Sequence, residues 1–596
     1  MHSNMKKIKY IVAVMIAGVF TSCSDYLEAP TKSSLDESII FSTPDLAKGA
    51  VDGIKVPFGE TNSYRGRFLP WYGMNTDAEW YNSSQTVGDN SDLAVYNAKP
   101  NNSNMNTTNN AWAKMYEGIE RANICIKGLR QYGDPQPGNE LGYLLGEALT
   151  LRAVFYTDLL KAWGDVVARF EPISTETIYM PKSDRGIIYK QLIADLEEAA
   201  TLVSWPNESE PTSNVERVNK AFVKGLRARL CLAASGYQQY PDGVRRSSDP
   251  DLSVENMYAI AYQECKDVIA SGTCQLDPSF EDLWRKYNQD YIAAGGESLW
   301  EIPFSAGRGR VLFTFGVRHR SVDQYTGQAR GGQAGPLPTV FYDYDLKDTR
   351  RDVTCVPYEY GTAVNGFSQQ QLTSLNTWAF GKYRYEWMSR YVTSTNDDGL
   401  NKRYMRYAEV ILMAAEIANE LEGPGAAAPY LKMIRKRAFN PSDWPTKVDA
   451  YVDALSSKEA MFDAIVDENK FEFTGEFERK QALIRWNLLK VKLDEAKAKM
   501  YELRSMTGAY SDVPAKLYYR YAEDGETLEI YGLNRGENED KSAEYDFNTD
   551  YITTDNLNDA KVESIYTQDP NARQFWPIWQ VFLDGSNGQL VNDYGY

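Results

Sequence analysis

The sequence predicts a mainly α-helical protein in which paired helices carry long, irregular, aromatic-rich segments. Three observations predict it. Apolar residues recur at three- and four-residue steps over many stretches of the 596-residue chain, which is the spacing of one helix face. Those faces include the small residues Gly225, Ala228, Ala414, Ala415 and Ala418, which allow neighbouring helices to approach closely. Between the helical stretches lie segments with no helical period, 56–110, 275–400 and 500–596, rich in Tyr, Trp, Asn and Asp. Long segments of that kind inside an ordered domain are usually functional surfaces or lids.

In chain order, residues 1–22 carry Lys6, Lys7 and Lys9 followed by an apolar run from Tyr10 to Phe20. A basic start and a short apolar stretch read as a secretory signal. The run is too short to span a bilayer, and no later stretch approaches about 20 apolar residues. Phe20-Thr21-Ser22-Cys23 is similar to a bacterial lipoprotein box, with Phe20 a looser match than the usual Leu, so Cys23 is the expected lipidation site. A plain signal with a coincidental cysteine is the other reading. Residues 23–596 are then expected to form one lipid-anchored domain. Removing residues 1–22 makes the chain more acidic, so acyl chains rather than charge would hold it to an anionic leaflet.

Helices are predicted at 44–55, 111–130, 141–163, 186–203, 217–236, 255–271, 403–421, 426–438, 458–473 and 476–498. In 141–163 the face is Leu144, Ala148, Leu151, Phe155, Leu159 and Ala162, and Gly164 can end the helix at positive φ. In 217–236 the face is Phe222, Leu226, Leu230 and Ala233, with Asn219 as cap. In 403–421 it is Tyr404, Ala408, Ile411, Ala415 and Ala418. Stacked helix hairpins of the tetratricopeptide kind and an ordinary helical bundle both fit, because a clear 34-residue repeat is absent.

Composition removes several functions. The formal net charge of −18 supplies no basic surplus to neutralise phosphates, which argues against nucleic acid. Of the two histidines, His2 lies in the signal and leaves His319 alone. Zinc sites built on two or more histidines are therefore excluded, and only His319 could serve a Ser-His-Asp triad. An exposed loop histidine with no special role is the expectation for it. Cys125, Cys231, Cys265, Cys274 and Cys355 form no C-x-x-C and read as buried small apolar residues, although Cys265 and Cys274 could pair.

A set of short motifs spreads over the whole length. Ser24-Asp25-Tyr26-Leu27-Glu28 and Pro30 follow Cys23, then Ile40-Phe41. Leu151-Arg152-Ala153 leads through Phe155-Tyr156 to Trp163-Gly164-Asp165-Val166. Arg217-Val218-Asn219-Lys220, Tyr344-Asp345 with Asp348-Thr349-Arg350-Arg351, and Arg403 to Val410 with Ala415-Glu416 come next. Glu472-Phe473, Gly475-Glu476, Arg479, Arg485-Trp486 and a closing Tyr594-Gly595-Tyr596 complete the order. In this the chain resembles the SusD/RagB family of Bacteroidetes outer-membrane nutrient-binding lipoproteins. It departs from the family at Ala482-Leu483 and at Asp593-Tyr594-Gly595-Tyr596. The resemblance implies a SusD-like fold, with tetratricopeptide-like helix pairs (44–55, 111–271 and 403–498) cradling a loop-rich half with short strands. It implies a cell-surface position on the outer membrane and a SusC-like TonB-dependent transporter as partner. It implies binding of oligosaccharide or polysaccharide, or of peptide in some relatives, without catalysis or cofactor.

Sugars offer hydroxyls to Asp, Asn and Arg and flat C–H faces to aromatic rings. The chain has 41 Tyr and 13 Trp against 22 Phe, a balance that suits a wet cleft. Rings at helical spacing, Phe155, Trp163, Tyr404, Tyr407 and Trp486, are assigned to the core. The ligand-binding candidates are the aromatic and polar residues of the loops at 56–110 and 275–400. They are Trp71, Asn75, Asp77, Trp80 and Tyr81; then Trp284 and Tyr287, with Tyr291 nearby; then Arg320 and Tyr325, near Asp323; then Tyr383, Arg384 and Trp387. Trp80 is foremost among them.

The acidic run Asp343, Asp345, Asp348 and Asp352 lacks the twelve-residue calcium-loop spacing. Asp345 and Asp348 read instead as turn residues pairing with Arg350 or Arg351, and Glu409 and Glu416 as salt-bridge partners near Arg403 and Arg406. A surface glycoside hydrolase would need two facing carboxylates about 5–10 Å apart, and no catalytic motif signals one. A helical-repeat adaptor that binds only protein is the third class.

Overall fold

The computed structural model describes residues 36–395 and 397–596; the signal segment and Cys23 lie outside them. Its helices run Pro44–Asp52, Ala111–Tyr132, Glu140–Trp163, Arg185–Leu202, Lys220–Ser235, Val254–Ser271, Tyr407–Leu421, Pro424–Ala438 and Lys458–Phe473. From Ala111 to Ser271 each long helix packs on the next in the chain, and Tyr407–Leu421 continues the array by packing on Val254–Ser271, Pro424–Ala438 and Lys458–Phe473. This is the stacked-hairpin arrangement rather than a closed bundle.

Local chemistry sets the helix limits. Gly164 ends the Glu140–Trp163 helix at φ +71°, a conformation that costs a residue with a Cβ. The Asn219 side chain accepts from the Phe222 N–H at 3.1 Å and caps the Lys220–Ser235 helix. Gly225 lets this helix meet a strand, since a Cβ there would lie 2.6 Å from the Met405 sulfur. Phe155, Trp163, Tyr404 and Tyr407 are buried in the main core, while Trp486 is half-buried and donates to Glu416 at 3.0 Å.

The structure corrects four predicted segments. Residues 402–406 are not helical: Lys402–Arg406 is a strand, antiparallel to Ser298–Ile302, and the helix starts at Tyr407. The i, i+4 spacing of Tyr404 and Ala408 spans this junction, which is why the pattern read as one helix. The 476–498 prediction divides into Arg479–Arg485 and Leu489–Ser505, with Asn487 at φ +59° between them. The 275–400 segment contains a helix, Phe280–Asn288. The 500–596 segment contains a three-stranded sheet with Lys516–Tyr521 central between Leu528–Tyr531 and Phe547–Asp550.

A buried ionic network ties the two halves together. Arg406 bonds Glu297, Glu472 at 2.9 Å and Glu476 at 2.7 and 2.8 Å; Arg437 bonds Glu297 at 2.8 Å and also Glu472. Arg350 grips Asp348 with two bonds, at 2.9 and 2.6 Å, and reaches Glu468 and Glu472 at 2.7 and 3.0 Å. The Asp348–Arg350 pairing is as expected, whereas Asp345 pairs with Lys447 at 2.6 Å. Asp343 meets Lys470 and Lys499, and Asp352 meets Arg351, so the acidic run is spent on basic side chains. Glu409 and Glu416 bridge elements as expected but to other partners, Arg229 and Arg485. The five described cysteines are buried free thiols, so Cys265 and Cys274 are not paired.

Candidate binding pocket

Most of the predicted ligand residues turn out to be interior. Trp80 is 0% exposed and its ring lies 4.1 Å from the Lys561 ammonium. Trp71 is buried with its ring edge-on to Tyr81 at 4.9 Å. Asn75 is buried at φ +59°, donates to the Ser564 and Ile565 carbonyls and accepts from the Tyr81 N–H. Asp77 is buried in a two-bond pair with Arg479, at 2.9 and 2.8 Å. Trp284, Tyr287 and Tyr383 pack edge to face in one cluster, with Lys382 4.9 Å and Arg403 5.1 Å from the Trp284 ring. Trp387 is buried between Arg285 and Arg384, each 4.5 Å away, and Arg384 is half-buried. These rings therefore have no free face to offer a sugar. The physical reason is distant packing: the groups that cover them come from other parts of the chain.

Tyr81, Arg320 and Tyr325 keep surface, as does Tyr291. Tyr81 is the last residue of the strand Glu79–Tyr81, which pairs antiparallel with Ala334–Pro336, opposite Ala334. That pairing sets Tyr81 beside the turn leading into residue 334. The turn is built on consecutive glycines, Gly331 at φ +83° and Gly332 at φ +73°. Their N–H groups bond the Phe313 and Gly316 carbonyls at 3.1 and 2.9 Å. A Cβ on Gly331 would lie 2.6 Å from the Val317 carbonyl oxygen, so only glycine allows the close approach.

The result is a pocket of about 320 Å³ whose walls include Tyr81, Ser83, Phe313, Arg318, His319 and Arg330. That is within the ~300–1,000 Å³ range of small-molecule sites. His319 and Arg330 exchange backbone hydrogen bonds at 2.8 and 2.9 Å across it. The expectation of an exposed His319 is overturned: it is 0% exposed, stacked on Tyr360 at 4.5 Å, and its Nδ1 lies 2.7 Å from Asp323. Asp323 also accepts the Tyr325 and Thr326 N–H groups. Burial alone would raise its carboxyl, but the His319 ring and these N–H groups outweigh it and hold it below the usual carboxylate range. As an acceptor, Asp323 fixes the proton on Nδ1 and leaves the Nε2 of a neutral His319 as a lone pair. Next to His319, Arg320 bonds Glu359 at 2.6 Å, and Tyr325, edge-on to the His319 ring at 6.1 Å, bonds Glu526 through its hydroxyl at 2.6 Å.

Unpartnered polar atoms are concentrated at this pocket. His319 Nε2 and both Arg330 Nη atoms are buried and bond nothing among the described residues. Three other grooves are larger, about 370, 440 and 680 Å³. Most of their polar groups are occupied: Arg169 donates to Thr177 and Ile178, and the Trp444 indole donates to Lys436 and Phe439, while Arg152 Nε and Arg437 Nε are the buried atoms left without a partner among the described residues. A crevice between the helices offers only about 90 Å³, and its charges are paired as Lys161–Glu478, Arg229–Glu409 and Arg485–Glu416, with Arg229 Nη1 unpartnered among the described residues. Of the residues lining this pocket, Tyr81 is a candidate from the sequence and Arg330 is not, although the following Gly331-Gly332 was an available signal for its turn.

Glu79 anchors the strand that carries Tyr81. It accepts the Gly475 N–H at 2.6 Å, its other oxygen has no partner among the described residues, and burial pushes its carboxyl up to about 8. A folded value above the unfolded one means stability fully present below about pH 4.5 and lost as pH rises through about 8. Glu79→Gln, which mimics the protonated form, is expected to flatten the fall of Tm between pH 5 and 8 by at least about 1 °C. Parallel Tm–pH curves for the two proteins would count against it.

Residues 296–596 match the family model described as the SusD family, and residues 25–232 match one described as starch-binding associating with outer membrane. Among curated relatives, SusD-like protein P25 of Formosa agariphila is 22% identical, over 81% of this chain and 91% of its own. SusD-like protein P2 of the same organism is 25% identical, over 80% and 90%. Among solved structures, a SusD homolog from Bacteroides thetaiotaomicron superposes with a TM-score of 0.72 at 18% identity, covering 94% of this chain and 99% of that one. Surface glycan-binding protein A from the same organism, in complex with laminarihexaose, gives 0.61 at 18% identity, covering 92% and 99%.

Proposed function

Because the chain belongs to the SusD family, we propose that it is a non-catalytic cell-surface lipoprotein that captures a glycan and delivers it to a SusC-like TonB-dependent transporter. The capture site in this reading is the pocket between Tyr81 and the His319–Arg330 turn, with Arg320 and Tyr325 beside His319. The observation that carries it is the convergence there of a half-exposed ring with buried polar atoms that bond nothing else among the described residues. A ring for a sugar face and polar groups for its hydroxyls are what a saccharide needs. The glycan-binding description of a fold neighbour and the starch-binding description of the matching family model support the ligand class. The same family description supports association with the outer membrane, with Cys23 as the proposed lipid anchor.

Calorimetry against a panel of oligosaccharides and peptides tests it. At least one oligosaccharide is expected to bind, and Tyr81→Ala to weaken it about three- to tenfold, the worth of one aromatic contact. Binding of peptides alone would replace the glycan reading with a peptide one. Release of shorter products from a bound polysaccharide would end the non-catalytic one. Co-purification of a TonB-dependent transporter with the protein, lost when Cys23→Ala releases it from the membrane, tests the partner and the anchor.

A further inference from the structure

The charge around the pocket runs against that of the whole chain. The protein carries a formal net charge of −18, yet Arg318 and Arg330 line the pocket and Arg320 flanks the bridged His319–Arg330 pair. Arg318 and Arg320 share a single carboxylate, Glu359, at 3.8 and 2.6 Å, and their side chains are about half exposed. Arg330 is 4% exposed; its Nε donates to the Gln328 carbonyl at 3.2 Å, and its guanidinium lies 5.5 Å from the Tyr385 ring centre. Neither Nη has a partner among the described residues. The nearby acids are engaged elsewhere. Asp323 faces the His319 ring and two backbone N–H groups. Asp398 accepts the N–H groups of Leu312, Phe313 and Leu400, and burial pushes its carboxyl up to about 7, so it offsets Arg330 only in part at neutral pH.

A buried guanidinium with idle N–H groups bonds a neutral hydroxyl, but it gains more from an anion, whose opposite charge and paired oxygens match the fork of N–H groups. Resting on the reading of this pocket as a saccharide site, we propose that it selects sugars bearing a negatively charged substituent, a carboxylate or a sulfate ester, through Arg330 with Arg318 at the rim. Sugar acids and sulfated sugars share this chemistry, and binding measurements separate them.

The experiment is calorimetry of the full chain with four probes: an oligogalacturonide, its methyl ester, a sulfated oligosaccharide and neutral laminarihexaose. At least one charged probe is expected to bind about tenfold or more tighter than its neutral counterpart. The tighter charged probe identifies carboxylate or sulfate as the source. Arg330→Gln is expected to remove that preference, with its Tm measured alongside; Arg318→Gln, at the exposed rim, is expected to reduce it without loss of folding. Equal binding of charged and neutral probes by the unaltered protein would overturn the charge selection and leave the saccharide site standing. So would a preference that survives both substitutions. Failure of every saccharide to bind would overturn the saccharide site and this selection with it.

Discussion

Arg406→Met is expected to destabilise the protein by about 3–5 kcal/mol, the usual cost of leaving buried charges without their partner. Arg406 is 1% exposed and bonds Glu297, Glu472 and Glu476, which come from the segment before the Ser298–Ile302 strand and from the end of the Lys458–Phe473 helix and just beyond it. Methionine fills much of the volume but leaves Glu476 with Lys382 alone, at 2.8 Å, and removes one of the cations facing Glu472. The pH dependence follows from the same contacts. Burial would raise the Glu476 carboxyl, but Arg406 and Lys382 override it and bring it down to about 2. A depressed folded value gives stability that is present above the unfolded value and lost as pH falls toward about 2. Arg406→Met therefore moves the acid-unfolding midpoint upward as well as lowering the urea midpoint at pH 7. A urea midpoint equal to that of the unaltered protein would show that Arg437 and Lys382 suffice without it.

Trp80→Ala carries the second large expectation, a loss of about 3–5 kcal/mol from the cavity it leaves. The ring is fully buried and covers the Lys561 ammonium, which donates to the Tyr81 and Asn82 carbonyls at 2.7 and 3.0 Å and to Ser84 at 3.2 Å. Burial drives this amine well below its ordinary pKa, so the ring and the three acceptors are what make its position tenable. Alanine removes the ring from beneath the ammonium and slackens the segment that presents Tyr81. Loss of ligand binding in Trp80→Ala would thus report a loosened site rather than a lost stacking face, and Tyr81→Ala is the cleaner test. Thermal unfolding and near-ultraviolet circular dichroism read the effect, and a Tm within about 1 °C of the unaltered protein would contradict it.

Much of the helical half was legible from neighbours in sequence. The periodic faces, the Asn219 cap and the positive φ of Gly164 are local features, set within one helical turn. The Asp348–Arg350 pair, two residues apart, was readable for the same reason. The family motifs add order along the chain, so the fold is legible from their succession alone.

Which aromatic residues face solvent was not local. Asp77 is claimed by Arg479, Asn75 by Ser564 and Ile565, and Trp80 by Lys561, all more than 400 residues away. A segment without periodicity has no inside and outside of its own. Its burial is decided by whichever distant surface closes over it. Trp80 and Tyr81 are adjacent in one strand and point to opposite faces, so one became core and the other wall. His319 and Arg330 likewise owe their pocket to the Gly331-Gly332 turn and to the pairing of Glu79–Tyr81 with Ala334–Pro336. The sequence by itself determined the helical scaffold and the family, because short-range spacing encodes both. Only the tertiary structure decided the proposed binding surface, because long-range contacts alone choose which loop side chains remain uncovered.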